Sequence, residues 1–392
     1  MSKPIPSQPS VPDPDTPAGS GQPSSREPHA GPPPADGRPG PLDGLLVADF
    51  SRVLAGPYCT MLLADLGANV IKVESPAGDD TRRWVPPVTK DGISTYFLAI
   101  NRNKRSVALD LKDEGDLAAA RELARRADVF VQNFKPGGLA RFGLDYESVS
   151  AINPKIIYAS ISGFGSSGGK DLPGYDLMVQ AMSGLMSLTG DPDGPPYRAG
   201  ISVFDVMAGL HATIGILTAL HHRDRTGEGQ HVELSLLASA LSGLVNHTSA
   251  YVAGGVVPMR MGNAHPSLFP YEPLPTADKD LIIIAGNNGQ FRQLCKVLDL
   301  PDLPNDPRFA NNDDRTRNRE LLRPLLVERL RTKSADEWFH ALSEAGVSCG
   351  PINDVAGGVN FARAIGLDPV VEVGAGADAI PMIRNPITFS AT

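Results

Sequence analysis

The sequence predicts an α/β fold: a Rossmann-like, mostly parallel sheet with helices on both faces, followed by a smaller α/β domain. Between residues 41 and 162, short apolar or β-branched segments alternate with segments of helical periodicity, and this alternation is typical of βαβ units. After about residue 222 the pattern changes to strands and helices separated by longer loops. We therefore predict four parts, namely a tail at 1–40, a large domain at 41–222, a small domain at 223–345 and a return segment toward the large domain at 346–392.

The strands of the large domain are predicted from β-branched or alternating segments. They are LLVAD at 45–49, NVIKVE at 69–74, SVALDL at 106–111, DVFVQNF at 128–134 and KIIYASIS at 155–162. Helical periodicity follows at 56–66, 113–127 and 137–152. In the small domain we predict strands at 225–234 and 281–285, with helices near 290–298 and 315–330.

Composition excludes several classes of protein. The 392 residues include 36 Lys+Arg and 44 Asp+Glu, a net charge of −8, which argues against binding nucleic acid or anionic membrane through bulk charge. The three cysteines are too few for a disulfide framework or a zinc cluster. The longest apolar stretches, such as 281–285, fall far short of the roughly 18 residues that span a bilayer. We expect a cytoplasmic protein.

The first 40 residues differ from the rest of the chain. They contain 12 of the 36 prolines and almost no large apolar side chains, so they cannot bury enough surface to offset the entropy of ordering. We predict a disordered tail, with a proline-rich adaptor ligand as the alternative. The segment has no apolar core of the kind that a secretory signal requires.

Three motifs suggest chemistry that their context does not favour. GFGSSG at 163–168 follows a strand as a dinucleotide-binding loop does, but residues 169–173 separate it from any helical pattern. The same interruption argues against Ser167 as the nucleophile of a hydrolase elbow. No carboxylate or cysteine stands at metal-ligand spacing from the histidines at 221, 222 and 231, so we expect no metal site. Cys59 is interpreted as a packed side chain.

Asp176 is the most informative residue. It begins the apolar helical segment 174–190, directly after the glycine-rich loop. It could be an acid that free amides stabilise at a helix start. It could equally be a reactive carboxylate beside backbone N–H groups, where a developing oxyanion could be held. The residues alone leave both interpretations open.

A series of segments, in one order, resembles the class III CoA-transferases, the CaiB/BaiF family that includes carnitine CoA-transferases and α-methylacyl-CoA racemases. The resemblance begins with PLDGLLVADFSRVLAGPYCTMLLADLGANVIKVE at 41–74 and covers nearly all of the chain after residue 40. It continues through NRNKRSVALDL (101–111), NFKPGGLARFGLDY (133–146), YASISGFG (158–165), GYDLMVQAMSG (174–184), TGEGQHVELSLL (226–237), DPRF (306–309) and GPIND (350–354).

The resemblance implies an enzyme that moves CoA from an acyl-CoA donor to a small carboxylic acid. Its nucleophile would be Asp176, which would form an aspartyl–acyl anhydride and then an aspartyl-CoA thioester. A carboxylate is already ionised at neutral pH and becomes more reactive when partly removed from water. CoA and acyl-CoA would be substrates, and no tightly bound cofactor or metal is implied. Relatives form interlocked homodimers of ring-shaped chains, so we expect a homodimer with neither nucleic-acid nor membrane partners.

For CoA, the resemblance points to Val53 and Leu54 beside the pantetheine and to Asn133, Phe134 and Arg141 near the nucleotide. Lys72, Lys104 and Arg105 are further basic candidates because they lie close to predicted strand ends. One departure is Ser75, which stands where relatives use a basic residue on CoA. The large domain, 41–222, would therefore be the CoA-binding domain.

The class of acceptor acid is inferred from local differences between this sequence and the members of the family. GNAHPSLFPYEPL at 262–274 replaces the consecutive glycines of oxalate-handling members and resembles the succinyl-CoA:dicarboxylate branch. The distal carboxylate of such an acceptor would need a cation, for which Arg52, Arg198 and Arg260 are candidates.

The racemase alternative requires His before the aspartate, but Tyr175 occupies that position and is a poor base at neutral pH. We interpret the second acid, Asp205, as structural. Relatives continue past a segment like NPITFSAT at 385–392, so we expect a truncated C-terminus. A CoA-binding protein with impaired catalysis is the remaining alternative.

Overall fold

A computed structural model describes residues 40–374, 376 and 379–392. The predicted tail, apart from Gly40, lies outside this part of the chain. A six-stranded parallel sheet has the order β3-β2-β1-β4-β5-β6. Its strands are β1 (Leu46–Asp49), β2 (Asn69–Glu74), β3 (Lys104–Ala108), β4 (Val129–Gln132), β5 (Ile157–Ser162) and β6 (Gln230–Ser235). The predicted parallel α/β sheet is confirmed.

Helices link these strands and cover the sheet. In chain order they are α1 (Ala55–Asp65), α2 (Thr95–Asn101), α3 (Glu114–Arg126), α4 (Tyr146–Ile152), α5 (Asp176–Met182), α6 (Leu185–Leu188), α7 (Val203–Thr226), α8 (Leu236–Gly243) and α9 (Asn246–Gly254). Short 3-10 helices occur at Asp80–Arg83 and Ala140–Phe142. Helix α3 has the predicted charge pattern and an N-cap at Asp113, whose side chain accepts from two backbone amides.

Two hydrophobic cores lie on opposite faces of the sheet, because successive side chains of a strand point to opposite sides. In β4, for example, Val129 and Val131 pack in the core that contains α1 and α7, whereas Phe130 packs in the core that contains α3. All three side chains are fully buried. Covering both faces explains why a central strand such as β4 is apolar on both sides.

The strand at 230–235 belongs to the first sheet, which differs from the predicted boundary at 222. Helix α7 is a crossover connection that carries the chain back to the sheet, where β6 pairs in parallel with β5. The second unit therefore begins after this strand. Its antiparallel sheet consists of β7 (Tyr271–Pro275), β8 (Asp280–Ile284) and β9 (Ser348–Pro351), so it also extends past the predicted end at 345.

The remaining elements complete the second unit and the return segment. They are α10 (Asn288–Val297), α11 (Asn312–Arg317), α12 (Arg319–Leu330), α13 (Ala335–Glu344), α14 (Val355–Ala364), β10 (Val370–Val373) and β11 (Ile380–Ile383), with a 3-10 helix at Leu303–Asn305. Strands β10 and β11 form an antiparallel pair. Beyond them, the side chain of Asn385 donates to Asp65 of α1 at 3.2 Å, so the last segment contacts the first unit.

Helix α7 is longer and more apolar than the sequence pattern indicated. Its 24 residues could cross a membrane by length and composition, so the expectation that no stretch reaches this length was wrong. One face of the helix is nevertheless part of the sheet core, where Phe204, Ala208, Ala212 and Ile216 are almost completely buried. Such burial is typical of a central helix in a globular core.

Candidate active site

Asp176 lies at the first position of α5, and its carboxylate faces the start of another helix. Its Oδ1 accepts from the backbone amides of Phe204 at 2.8 Å and Asp205 at 3.2 Å, both in the first turn of α7. The positive end of a 24-residue helix therefore faces this carboxylate. The residue is only 6% exposed, so water screens these interactions weakly. The site combines a nearly buried carboxylate with two oriented amides.

Gln180, one helical turn later, holds the other carboxylate oxygen. Its Nε2 donates to Oδ2 of Asp176 and also to the carbonyl oxygen of Ile201 at 3.1 Å. Its Oε1 accepts from the amide of Ala199 at 2.8 Å. The glutamine is fully buried, and it connects the carboxylate to the loop that precedes α7.

Asp205 and Tyr96 lie close to this carboxylate. Burial, and to a smaller extent the charge of Asp176, raise the pKa of Asp205 from 3.8 to about 7. Burial and then the charge of Asp205 also raise the pKa of Tyr96. Two carboxyl groups and a phenol thus share a region of low polarity. Tyr175, in contrast, is 64% exposed.

A strained turn follows β1 at the point where the strand order reverses. Val53 has a φ of +68°, which costs energy for a β-branched residue. Its amide donates to Asp79 at 3.3 Å, while Asn133 after β4 accepts from the amide of Arg52 at 2.8 Å and donates to its carbonyl at 2.7 Å. The predicted residues Val53 and Asn133 are thus brought together between β1 and β4. In open α/β sheets this crevice is where ligands bind.

Lys72 and Lys104 are placed in buried ion pairs instead of a surface for phosphate. Lys72 Nζ lies 2.9 Å from Asp79 Oδ2 and donates to the carbonyl of Ser51 at 2.9 Å. Lys104 Nζ lies 3.1 Å from Asp49 Oδ2, and burial lowers the pKa of Lys104 to about 8. Despite burial, these lysines keep the pKa of Asp49 below its usual value. We therefore remove both lysines from the candidate CoA site, because their ammonium groups form buried ion pairs that stabilise the turn containing Val53 and the strand end beside it.

The other candidates differ in accessibility. Arg105 donates to Asn69 at the start of β2, at 2.8 Å, and so lies toward the amino ends of the strands, away from the crevice. Leu54 is largely buried. Phe134 lies beside the Arg52 guanidinium, 5.6 Å from its ring centroid. Arg141 is exposed, stacks on Phe142 at 4.6 Å and has no ion pair among the described residues.

The glycine-rich loop at 163–168, Cys59 and His231 each have a structural explanation. Between β5 and α5 the described chain contains no helix, so the glycines of 163–168 do not open a helix as those of a dinucleotide-binding loop do. Cys59 is buried in α1, and burial raises its pKa to about 12, as expected for a packed thiol. His231 Nε2 lies 2.8 Å from Ser160 Oγ, and its ring stacks on Tyr146.

Sequence reasoning missed Gln180, Tyr96 and the amide of Phe204. The spacing of four residues between Asp176 and Gln180 places both side chains on one helix face, and this was the available signal. Nothing in the sequence brings Tyr96 of α2 to α7, because that contact depends on the tertiary fold. The interpretation of Asp205 as structural omitted its proximity to Asp176.

The sequence profile described as CoA-transferase family III matches residues 42–392. The chain belongs to this family and is a CoA-transferase. It is 44% identical over 363 residues to a succinate–glutarate CoA-transferase of Agrobacterium fabrum, covering 90% of each chain. It is 43% identical over 354 residues to an acetyl-CoA:oxalate CoA-transferase of Acetobacter aceti, again covering 90% of each. The crystal structure of a CAIB/BAIF family protein from Brucella suis superposes with a TM-score of 0.80 at 44% identity, covering 90% of this chain and 94% of that one.

Proposed function

We propose that the protein transfers CoA from a dicarboxylic acyl-CoA such as succinyl-CoA to a free dicarboxylic acid, with Asp176 as the nucleophile. The observation that carries this proposal is the environment of Asp176: a carboxylate that is 6% exposed and oriented by the first amides of α7. An ionised carboxylate needs no general base, and partial removal from water increases its reactivity toward a thioester.

The reaction proceeds by four exchanges at carbonyl carbons. Asp176 attacks the thioester, which expels CoA thiolate and leaves an aspartyl–acyl anhydride. The thiolate attacks Cγ of Asp176, giving an aspartyl-CoA thioester and releasing the donor acid. The acceptor carboxylate then attacks Cγ, expels the thiolate and forms a second anhydride. The thiolate finally attacks the acceptor carbonyl, which releases the new acyl-CoA and restores the carboxylate.

Helix α7 supports the two exchanges at Cγ. When a nucleophile adds to this carbon, negative charge develops on the oxygen that remains as the carbonyl. Donors already in position at the end of a helix stabilise such charge without reorganising during the reaction. The amides of Phe204 and Asp205, which already bind Oδ1, would provide this stabilisation.

CoA would enter through the crevice between β1 and β4. Val53 and Leu54 would contact the pantetheine arm, and Asn133 and Phe134 would line the opposite side. The reciprocal hydrogen bonds between Asn133 and the backbone of Arg52 support this location, because they fix the two walls against each other. Arg141, exposed and without an ion pair in the described chain, would bind a phosphate of CoA.

The acceptor is proposed to be a dicarboxylic acid because both relatives above are named for transfers to such acids, glutarate and oxalate. Arg198 is the best candidate for the distal carboxylate: it is exposed, and its neighbour Ala199 bonds the glutamine that touches Asp176. Arg260 instead donates to the carbonyl of Asp191, and Arg52 lies 3.7 Å from Asp80.

A homodimer is proposed from the surface of the chain. The outer side of α7 and the segment around α9 expose large apolar side chains, which is typical of a protein interface. They are Leu210, Ile214, Tyr251, Val252, Val256 and Val257. A second copy that covers this surface, as in the interlocked dimers of the family, accounts for these side chains. We also propose a cytoplasmic location.

The experiment is a CoA-transfer assay with succinyl-CoA and a panel of acceptors, in the parent, Arg198→Met and Arg260→Met. Dicarboxylates should be used, with a KM that Arg198→Met raises about tenfold or more and Arg260→Met leaves nearly unchanged. Transfer only to monocarboxylates would contradict the proposed acceptor class. Equal effects of both substitutions would contradict the assignment to Arg198.

A further inference from the structure

Gln180 has a fixed amide orientation. Its oxygen accepts from the amide of Ala199, and one proton of its Nε2 bonds the carbonyl of Ile201. A flipped amide would place its oxygen against that carbonyl and its NH₂ against that N–H, so the backbone at 199–201 determines which end faces Asp176. The second Nε2 proton therefore points at Oδ2 of Asp176.

The two oxygens of Asp176 differ in the number of donors that they accept. Oδ1 accepts two backbone amides, from Phe204 and Asp205, and a carboxylate oxygen has two in-plane lone-pair positions. Oδ2 accepts from Gln180 alone among the described residues. Both lone pairs of Oδ1 therefore accept hydrogen bonds from α7, whereas Oδ2 has one lone pair that is available to attack a reacting atom.

We propose that Gln180 is a positioning residue that directs Oδ2 of Asp176 at the thioester, an inference that deepens the proposed function and rests on it. In the first exchange Oδ2 forms the new bond to the acyl carbon, the thiolate leaves, and Oδ2 becomes the bridging oxygen of the anhydride. Oδ1 becomes the carbonyl oxygen and keeps its two amides. When thiolate attacks Cγ, the bond from Cγ to Oδ2 breaks, and Oδ2 leaves with the donor acid.

Two substitutions that nearly preserve the size of the Gln180 side chain, Gln180→Met and Gln180→Glu, test whether this residue orients Asp176 or only fills space. Gln180→Met removes the donor at every pH. A hydrogen bond to a charged group corresponds to a factor of about ten to about a hundred, so we expect kcat to fall by this factor while KM for acyl-CoA stays within about twofold. Met178→Leu, on the exposed side of the same helix, is the control and should keep the parent kcat.

Gln180→Glu gives a readout that a packing role would not produce. The introduced carboxyl can donate to Oδ2 when protonated, but it repels that oxygen when ionised. The kcat ratio of this variant to the parent should therefore be close to one in acid and fall about tenfold or more as the pH rises to about 8. Thermal melting at each pH confirms that the variants remain folded; if Gln180→Met unfolds, the pH dependence of Gln180→Glu decides.

Quenched reactions distinguish failure of this inference from failure of the proposed function. Mass spectrometry of the peptide containing Asp176 should show acyl or CoA adducts that form more slowly in Gln180→Met than in the parent. Parent protein without an adduct would contradict the nucleophile itself. Adducts in the parent, together with equal rates in Gln180→Met and a pH-independent ratio for Gln180→Glu, would overturn the role of Gln180 alone.

Discussion

Asp205→Asn should stabilise the protein near pH 7 much more than near pH 4. Burial, followed by the charge of Asp176, raises the pKa of Asp205 from 3.8 to about 7. Between these two values the unfolded chain has lost this proton while the native protein still binds it. Ionisation therefore favours unfolding increasingly as the pH rises. Asparagine cannot ionise, and it keeps the backbone amide that donates to Asp176.

The size of this effect follows from the two pKa values. The native and unfolded pKa values of Asp205 differ by about three. At about 1.4 kcal/mol for each pKa unit, the substitution should raise the free energy of unfolding by at most about 4 kcal/mol, a limit reached above the native pKa. Urea unfolding followed by circular dichroism should show that the gain of the variant over the parent grows between pH 4 and about pH 7 and is then constant. Asp193→Asn, at an exposed position, is the control. A gain that does not change with pH would refute a buried carboxyl at position 205.

Three further substitutions test the fold and the CoA crevice. Lys72→Met leaves the buried Asp79 carboxylate without its ion pair, and urea unfolding should show that the free energy of unfolding falls by about 3–5 kcal/mol. The control is Lys135→Met, in an exposed ion pair with Asp171, which should lower it by less than about 1 kcal/mol. Equal losses would contradict the buried ion-pair network. Arg141→Ala should raise KM for acyl-CoA about tenfold with kcat unchanged. The control is Arg126→Ala, at an exposed arginine that ends α3 just before the amino end of β4, and it should leave KM unchanged. An unaffected KM in Arg141→Ala would remove that residue from the site. Gly209→Ala in α7 should lower the free energy of unfolding by about 1–3 kcal/mol, because the new Cβ would lie 2.7 Å from the carbonyl oxygen of Ala55 in α1. A melting temperature equal to that of the parent would contradict this close contact between α7 and α1.

The sheet was largely predictable because its signal is local. Short apolar or β-branched segments mark β1, β2, β4 and β5, and helical periodicity follows β1, β3 and β4. A parallel order follows from that alternation. The position of β6 was not predictable in the same way. Whether a strand after a long helix returns to the first sheet or begins a second one depends on packing, and here α7 lies on the first sheet.

The candidate site was predictable to a smaller extent. Asp176 was identified from its place at a helix start and from the resemblance to a family, and the structure adds the partners of its carboxylate. Lys72 and Lys104 illustrate what spacing cannot show. Lys72 lies in the predicted second strand, whereas Lys104 precedes the segment predicted as the third strand and is the first residue of β3. Their ammonium groups contact Asp79 and Asp49 only in the folded protein. A basic residue near a strand end is equally compatible with a phosphate ligand and with a buried ion pair.

Whether Asp176 receives the acyl group can be determined from the mass of its own peptide. The protein is mixed with succinyl-CoA, quenched in acid within the first turnover and digested, alongside Asp176→Ala treated identically. We expect succinyl or CoA mass on the parent peptide that contains Asp176, no such mass in the variant, and loss of turnover in the variant. Adducts on a different residue, or an Asp176→Ala protein that turns over at the rate of the parent, would contradict the nucleophile proposed for this enzyme.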